Sequence, residues 1–505
     1  MTADGRRPVP RRVVGVGLLT VVGALLLYVR TMAPTVYGLD SAELTAGAYV
    51  LGIVHAPGSP TYLLLGHLFT WLPFGDVGYR VNLLSACAGA VGAGFVYAVV
   101  WMLLGDDLLA LTAAWYLATT YYVWVNAVAA EIYALHVCWI AGLIWLGLLW
   151  RAHPRFAWLY LFTFLFGLGL GAHLSLSLLT PGFAILIVGG RARWLRPHAL
   201  LLAVLCGLLG ASVYLYLPLR AAAGVGMNYA RDFGVDVTTW DGFWWMVSGR
   251  MFGPQMFGVP LGRLPWELVE YGYRLWSNFL GLGCVIGVVG VGVLFRRDRS
   301  VTLALGTMWL AHVGFVTAYD VPDKEMMLAP TFLIWSIWVA AGAASTMGWV
   351  ARRLHGSVPL PAALLLLLMA GTNVLINYPR ADISSDWSAR ARGELLLDWL
   401  PPQTLYLATW ADAPILDYLQ QAEQRRLDID TVNVFLVRDR RQLDAIAAHL
   451  AAGLPVYADQ PALAPNRSVR SEYIAACRCY WVTIPLPQSF PPAAPLQCQD
   501  PGGTG

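Results

Sequence analysis

The feature that most constrains this chain is a succession of apolar runs, each near the roughly 20 residues that carry a helix across a bilayer. They lie at 13–29, 81–104, 108–125, 132–150, 156–172, 174–190, 199–219, 275–295, 300–318, 327–349 and 358–376. Composition agrees: of 505 residues 58% are hydrophobic and only 12% charged, against about 25% charged in ordinary soluble domains. A net charge of +3 gives no support to a nucleic-acid partner, so clustered arginines are read as membrane topology. The expected architecture is an α-helical polytopic membrane protein with eleven transmembrane helices, one for each run.

The arginines order these runs. Arg6, Arg7, Arg11 and Arg12 precede the first, in the shape of a signal sequence or a first membrane helix. A retained helix is favoured, because the exit Thr31-Met32-Ala33 runs into Pro34. With residues 1–12 as a cytoplasmic basic N-terminus, the loops on that side hold Arg151 and Arg155; Arg191, Arg193 and Arg196; Arg296, Arg297 and Arg299; and Arg352 and Arg353, as the positive-inside bias requires. The loop at Asp106-Asp107 lacks a basic residue. The transmembrane domain is expected over 13–377, with outer loops at 31–79 and 220–274. An odd number of crossings places everything after Tyr378 outside. Strand-like and helix-like patterns alternate there, with strands near Thr404–Ala408, Thr431–Val437 and Leu454–Ala458. They predict a small extracytoplasmic α/β domain over 378–485, followed by a proline-rich irregular tail at 486–505. The short basic N-terminus and the lack of an ER-retention signal suit a bacterial plasma membrane.

Cys87, Cys138, Cys206 and Cys284 fall in apolar runs, and Cys477, Cys479 and Cys498 fall outside them. In an oxidising compartment the outer three predict one disulfide among them; Cys498 with one of the other two is one option, and sequence does not fix the pairing. Neither GxGxxG, Walker A nor HExxH occurs, so nucleotide-driven chemistry is unsupported.

Ionisable residues at membrane depth are costly and mark sites. Here the run centres are almost free of them, and the polar groups gather on the expected outer side. Asp40 and Glu43, three apart, share a helix face, where repulsion and desolvation can raise one carboxyl toward a useful base. The plainer reading is a capping box closed by Glu43 on Asp40. His55 follows in His55-Ala56-Pro57-Gly58, then Thr61–Leu72, too short to span, suits an interfacial helix carrying His67. Glu131 and Tyr133 open a later run, where a glutamate can also simply favour the helix dipole. His173 lies at a hairpin tip and is equally readable as structural. Arg220 ends a run on the side where arginine is unexpected; it suits a lipid phosphate, and snorkelling to headgroups is the alternative. Arg80, Asp320, Asp323 and Lys324 complete the outer set. Trp240–Phe257 reads as an interfacial aromatic stretch.

Several segments, in this order, resemble the GT-C-type membrane glycosyltransferases of the family that includes the animal ER protein O-mannosyltransferase acting on plexin-type receptor domains. They are LDSAEL, GIVHAPGSPTYLLLGHLF, YRVNLLSA, AAEIYALH, GLGLGAHLSLSLLTPG, YLPLRA and YDVPDKEMMLAP, with LYLATWADAPILDYLQQAEQRRLDIDTVNVFLV in the outer domain. Family members commonly read Asp-Ser-Gly-Glu and His-Pro-Pro-Gly where this chain has Asp40-Ser41-Ala42-Glu43 and His55-Ala56-Pro57-Gly58.

The resemblance implies a GT-C-like fold and transfer of a hexose, such as mannose, from a polyprenyl-phosphate donor to an acceptor hydroxyl. The acceptor would be a protein Ser/Thr or a glycan. On this expectation Asp40 is the base, with Glu43 beside it. Arg220, His173 and Arg80 bind the donor phosphate or lipid. His55, Glu131, Tyr133, Asp320, Asp323 and Lys324 position substrate. The sequence requires no cofactor or metal; the carrier is a co-substrate. A lipid-linked glycan flippase and a non-catalytic glycan- or peptide-binding membrane protein are the competing readings.

Overall fold

A computed structural model describes residues 10–189, 196–353, 359–437, 440–459, 470–474, 477 and 479–483. Helices dominate, as they must where lipid offers the backbone no hydrogen-bond partner. Among the described residues seven helices are long and apolar enough to cross a membrane: Arg11–Thr31, Val77–Leu104, Ile132–Ala152, Pro197–Ala222, Arg299–Ala318, Lys324–Gly348 and Leu360–Ala381. The pair Leu264–Asn278 and Leu282–Arg297, bent by 100°, makes an eighth if counted as one span.

All eleven apolar runs fall on helices, but the expectation of eleven full crossings is corrected. Asp107–Ala118 has 12 residues and rises only about 18 Å. It stops where Thr119 and Thr120 turn their hydroxyls back onto the carbonyls of Trp115 (2.9 Å) and Leu117 (2.7 Å). Phe156–Leu170 and Leu174–Val188 are also short, the latter opening as a 3-10 turn over Leu174–Leu179. The run at 275–295 does not begin as a span, because Leu280 (φ 53°) and Gly281 (φ 64°) take left-handed conformations and redirect the chain.

Buried polar side chains staple the helices together. Tyr28 donates to Ala118 O (2.9 Å), Trp124 Nε1 to Thr31 Oγ1 (2.9 Å) and Asn377 Nδ2 to Thr119 O (2.9 Å). Glycine allows backbone contact between Phe156–Leu170 and Pro197–Ala211. A Cβ on Gly167 would lie 2.0 Å from Gly207 O, and one on Gly210 2.0 Å from Phe164 O, the close approach that small residues permit between membrane helices. Two expected topogenic arginines join helix ends: Arg12 pairs with Asp107 (3.1 Å) and Arg151 with Asp298 (2.8 Å). The acidic loop at 106–107 thus receives its basic partner from the N-terminal segment.

A second compact unit begins at Ala391, later than the expected 378. The reason is that the helix Pro359–Ala381 continues through Pro379, after which Ile383 N donates to Thr31 O (3.0 Å) and Arg390 pairs with Asp76 (3.2 Å).

The second unit is built on a five-stranded sheet: β1 (Leu405–Ala408), β2 (Asp430–Asn433), β3 (Val456–Ala458), β4 (Arg470–Ile474) and β5 (Cys479–Thr483), in the order β2-β1-β3-β5-β4. β1 is parallel to β2 and β3, and β5 antiparallel to β3 and β4. Leu405, Leu407, Ile446, Val456 and Ala458 form its core. The strand expected to reach Val437 ends at Asn433, where Leu436 N turns back to Asn433 O (3.0 Å). Cys477 is disulfide-bonded to Cys479, one of the pairings the sequence leaves open. Cys498 and the tail at 486–505 lie outside the described residues.

Candidate active site

The acidic helix Asp40–Val50 begins abruptly. Its cap is Leu39, held at φ 56° with no side-chain cap bond. Asp40 is therefore the first helical residue, and Glu43, one turn on, bonds elsewhere, so the capping-box reading fails. Ser41 to Ala48 are buried. At the other end Leu51 takes a left-handed conformation (φ 52°), with its N–H on Gly47 O. Carbonyls there lack helical partners, and the Arg220 guanidinium supplies them, Nε to Leu51 O (2.8 Å) and Nη2 to Val50 O (3.1 Å).

From Leu51 the chain doubles back. Ile53 bridges to Asn228, with Ile53 N on Met227 O (2.9 Å) and Tyr229 N on Ile53 O (2.9 Å). This returns His55 to the fully buried Glu43 (0% exposed). The His55 backbone N–H donates to Glu43 Oε1 (2.5 Å), and Nδ1 lies 2.6 Å from Oε2. Burial pushes the Glu43 carboxyl up, against the pull of His55. Burial opposes charge on His55 as well, but the carboxylates of Glu43 and Asp40 outweigh it, and the imidazole is pushed up to about 10. The pair holds one proton between them. Ligand atoms of Asp40, Glu43 and His55 all lie within 4.8 Å of one another, so a small cation fits this donor set only by taking the place of that proton.

Two more carboxyls join from distant elements. Glu131 occupies the cap position of Ile132–Ala152 without capping it. Its backbone exchanges bonds with Ser85 Oγ (3.0 and 3.1 Å), and Ala130 N donates to Ser41 Oγ (3.1 Å), stitching it to the acidic helix. Burial, then the charges of Asp40 and Asp323, hold Glu131 well above the usual carboxylate range. Asp323 is exposed at its surface, and partial desolvation and then the charge of Asp40 raise its carboxyl.

Beside Glu131, the Tyr133 ring lies 5.4 Å from that of His173. Ser175 N donates to His173 Nδ1 (3.1 Å), which assigns the ring proton to Nε2 and makes that edge a donor. Ser175 Oγ also links His173 Nδ1 (2.7 Å) to His136 Nε2 (3.0 Å). His136 and the nearby His312 escaped the sequence reading. The three-residue spacing from Tyr133 to His136, one helix face, was the available signal for the first.

The structure thus brings Asp40, Glu43, His55, Glu131, Tyr133, His173 and Asp323 together and separates four other candidates. Arg80 is engaged with three carbonyls, Phe74 O (2.9 Å), Thr70 O (2.8 Å) and Gly75 O (2.7 Å). Arg220 caps the acidic helix. Lys324 pairs with Glu267 (2.7 Å), and Asp320 is exposed, its N–H on Gln255 O (3.0 Å). For Arg80, Arg220 and Lys324 the partner comes from the fold, so the cation expected to face substrate is engaged by the chain itself.

Residues 40–195 match the family described as protein O-mannosyl-transferase TMEM260 N-terminal domain. A protein O-mannosyl-transferase tmem260 from Dictyostelium discoideum is 23% identical over 471 residues, 83% of this chain and 57% of the relative. Protein O-mannosyl-transferase TMEM260 from Mus musculus is 37% identical over 111 residues, 22% of this chain and 16% of its own length. The chain thus spans little more than half of the first relative and a small part of the second. Among solved structures, ArnT from Cupriavidus metallidurans bound to undecaprenyl phosphate superposes with a TM-score of 0.58 at 13% identity, over 94% of this chain and 97% of ArnT. The fold is of this GT-C type.

Proposed function

We propose that this chain, which carries at 40–195 the N-terminal domain of the TMEM260 family, is a membrane glycosyltransferase. It would move a hexose, mannose by analogy with its named relatives, from a polyprenyl-phosphate carrier to a hydroxyl of an acceptor protein. One observation carries the reading: Asp40 is the first residue of a buried helix, beside a Glu43–His55 pair and two further carboxyls. That arrangement suits a base that acts on a hydroxyl.

In the reaction the acceptor oxygen bonds to the anomeric carbon as the bond from that carbon to the phosphate oxygen breaks. Configuration inverts, the polyprenyl phosphate departs with the bonding pair, and the hydroxyl proton passes to Asp40. Glu43 and His55 hold the loop at 52–58 against the acidic helix. The Nε2–H of His173 supplies a neutral donor to a sugar or phosphate oxygen, and Glu131 receives sugar hydroxyls. The reading needs no metal; Asp40, Glu43 and His55, whose ligand atoms lie within 4.8 Å of one another, would hold a cation if one binds, in place of the proton between Glu43 and His55. The N-terminus lies in the cytoplasm, the site and the second unit outside, in a bacterial plasma membrane.

The test is release of polyprenyl phosphate from a panel of polyprenyl-phosphate hexoses by the lipid-reconstituted protein, with peptide and glycan acceptors, beside Asp40→Asn. The wild type should release carrier with one donor, and the equally folded variant should fall by about 100-fold or more. Equal turnover by both proteins removes Asp40 as the base. No turnover with any donor removes the reading.

A further inference from the structure

Asp323 reaches the acidic cluster from a loop between two spans, far in sequence from Asp40, and something must hold it there against the repulsion of its neighbours. The loop is anchored at both ends. Asp320 N donates to Gln255 O (3.0 Å), Asn126 Nδ2 to Met326 O (3.0 Å), and His312 Nε2 to Met327 O (2.8 Å). Between the anchors, the two residues after Asp323 meet one face of the helix Leu264–Asn278. Lys324 Nζ lies 2.7 Å from Glu267 Oε2, whose other oxygen takes Arg263 (3.1 Å). Glu325 Oε1 lies 2.7 Å from Arg274, which also bonds Tyr122 OH (2.8 Å) and Glu270 (3.3 Å). Glu267 is 7% exposed.

The two contacts have opposite polarity. Lys324 gives its cation to an anion of the helix, and Glu325 gives its anion to a cation of the helix, so the pairing defines one register of the loop. A one-residue slip would set like charges together. Another face of the same helix carries Trp266, Val269, Tyr273 and Trp276, exposed at 64, 60, 72 and 55% with the spacing of one helical stripe. The 100° turn into the next helix leaves that stripe free to lie along a bilayer surface. With Glu267 in place the Lys324 ammonium is engaged at 2.7 Å, and desolvation and then Asp40 raise the Asp323 carboxyl.

We propose that Glu267 and Arg274 are positioning residues: through Lys324 and Glu325 they clamp the 320–328 loop so that Asp323 faces Asp40 and His55 in the transferase site. The proposal rests on the glycosyltransferase reading for its kinetic consequence, and its structural content stands apart from it.

The experiment pairs two readouts on the full chain in lipid, using Glu267→Gln, Lys324→Gln and the double variant, with Arg274→Gln as a second probe. Hydrogen exchange over 320–328 should quicken at least tenfold in each single variant while Asp40–Val50 keeps its protection. In the transfer assay Glu267→Gln should lower kcat at least tenfold with the donor KM within about twofold. The acid limb of its pH profile should move to lower pH, because the released ammonium stabilises ionised Asp323. The double variant should be no worse than the worse single one, as expected for residues acting through one contact.

Unchanged exchange over 320–328 overturns the clamp. Exchange that quickens with kcat and the pH profile unmoved overturns its role at the site. If the wild type turns over no donor, the transferase reading fails by itself, and hydrogen exchange still decides the clamp.

Discussion

Replacing Glu43 by Gln removes one charge from a buried carboxyl–imidazole pair. Glu43 is fully buried and makes two bonds to His55, at 2.5 and 2.6 Å. Wherever the proton sits between them, the folded pair carries one that an unfolded chain at neutral pH lacks. His55 is pushed up to about 10, from an ordinary value of about 6.5. Its stabilisation is therefore complete below about pH 6.5 and disappears as pH rises through about 10.

Within that window the extra folded-state proton makes stability fall by about 1.4 kcal/mol for each pH unit. Gln keeps the shape and still accepts from the His55 backbone, but the charge-assisted bond becomes a neutral one, a loss of about 1–2 kcal/mol near pH 7. The assay is thermal unfolding in lipid nanodiscs, followed by tryptophan fluorescence from about pH 6 to about pH 10. The wild-type midpoint should decline across the range, and the Glu43→Gln midpoint should start lower and stay nearly level, so that the curves approach each other at the alkaline end. Equal slopes in the two proteins would refute the shared proton.

Other outcomes follow from the same geometry. Burial, then the charges of Asp40 and Asp323, raise the Glu131 carboxyl, so transfer should gain activity with pH above the ordinary carboxylate range; Asp323→Asn should move that limb to lower pH in kcat/KM profiles. Arg80→Ala removes three carbonyl bonds and should cost about 2–3 kcal/mol of stability, with the donor KM of the surviving protein unchanged; a raised KM would return Arg80 to the site. Arg220→Gln uncaps the acidic helix and should lower both melting midpoint and kcat, by about 1–2 kcal/mol in stability, read by unfolding and transfer assays together.

The core of the candidate site was legible because it is local. Asp40 and Glu43 share a turn, and His55 follows twelve residues later, within one returning loop. The apolar runs were legible as helices for a similar reason, since hydrophobicity is a property of adjacent residues. Their number as crossings was not, because a run carries no mark of the left-handed turn at Leu280 and Gly281 or of the threonines that end Asp107–Ala118.

Arg80 and Arg220 show another limit. An arginine at a helix end reads the same in sequence whether phosphate or its own chain's carbonyls await it. Glu267 and Arg274 were invisible because their partners lie more than fifty residues away, and ion pairs at that separation leave no period. In the second unit β4 and β5 escaped the alternation of strand and helix because they follow one another as a hairpin. The bond between Cys477 and Cys479 was one of the pairings left open, because spacing alone does not rank three cysteines.

The glycine contact between Phe156–Leu170 and Pro197–Ala211 has a reach beyond its own packing. Ten residues past Gly210, at roughly 1.5 Å per residue, the same rod ends in the guanidinium that caps Asp40–Val50. A methyl group added at Gly210 must pry two backbones apart, since its nearest neighbour, Phe164 O, stands 2.0 Å away. The rod then acts as a lever whose far tip is Arg220. A variant in a helix with many lipid-facing side chains, touching neither donor nor acceptor, would present in an assay as a defect of chemistry. Genetic screens that score loss of activity should recover such glycines alongside the carboxylates, and only a survey of folding would tell the two kinds apart.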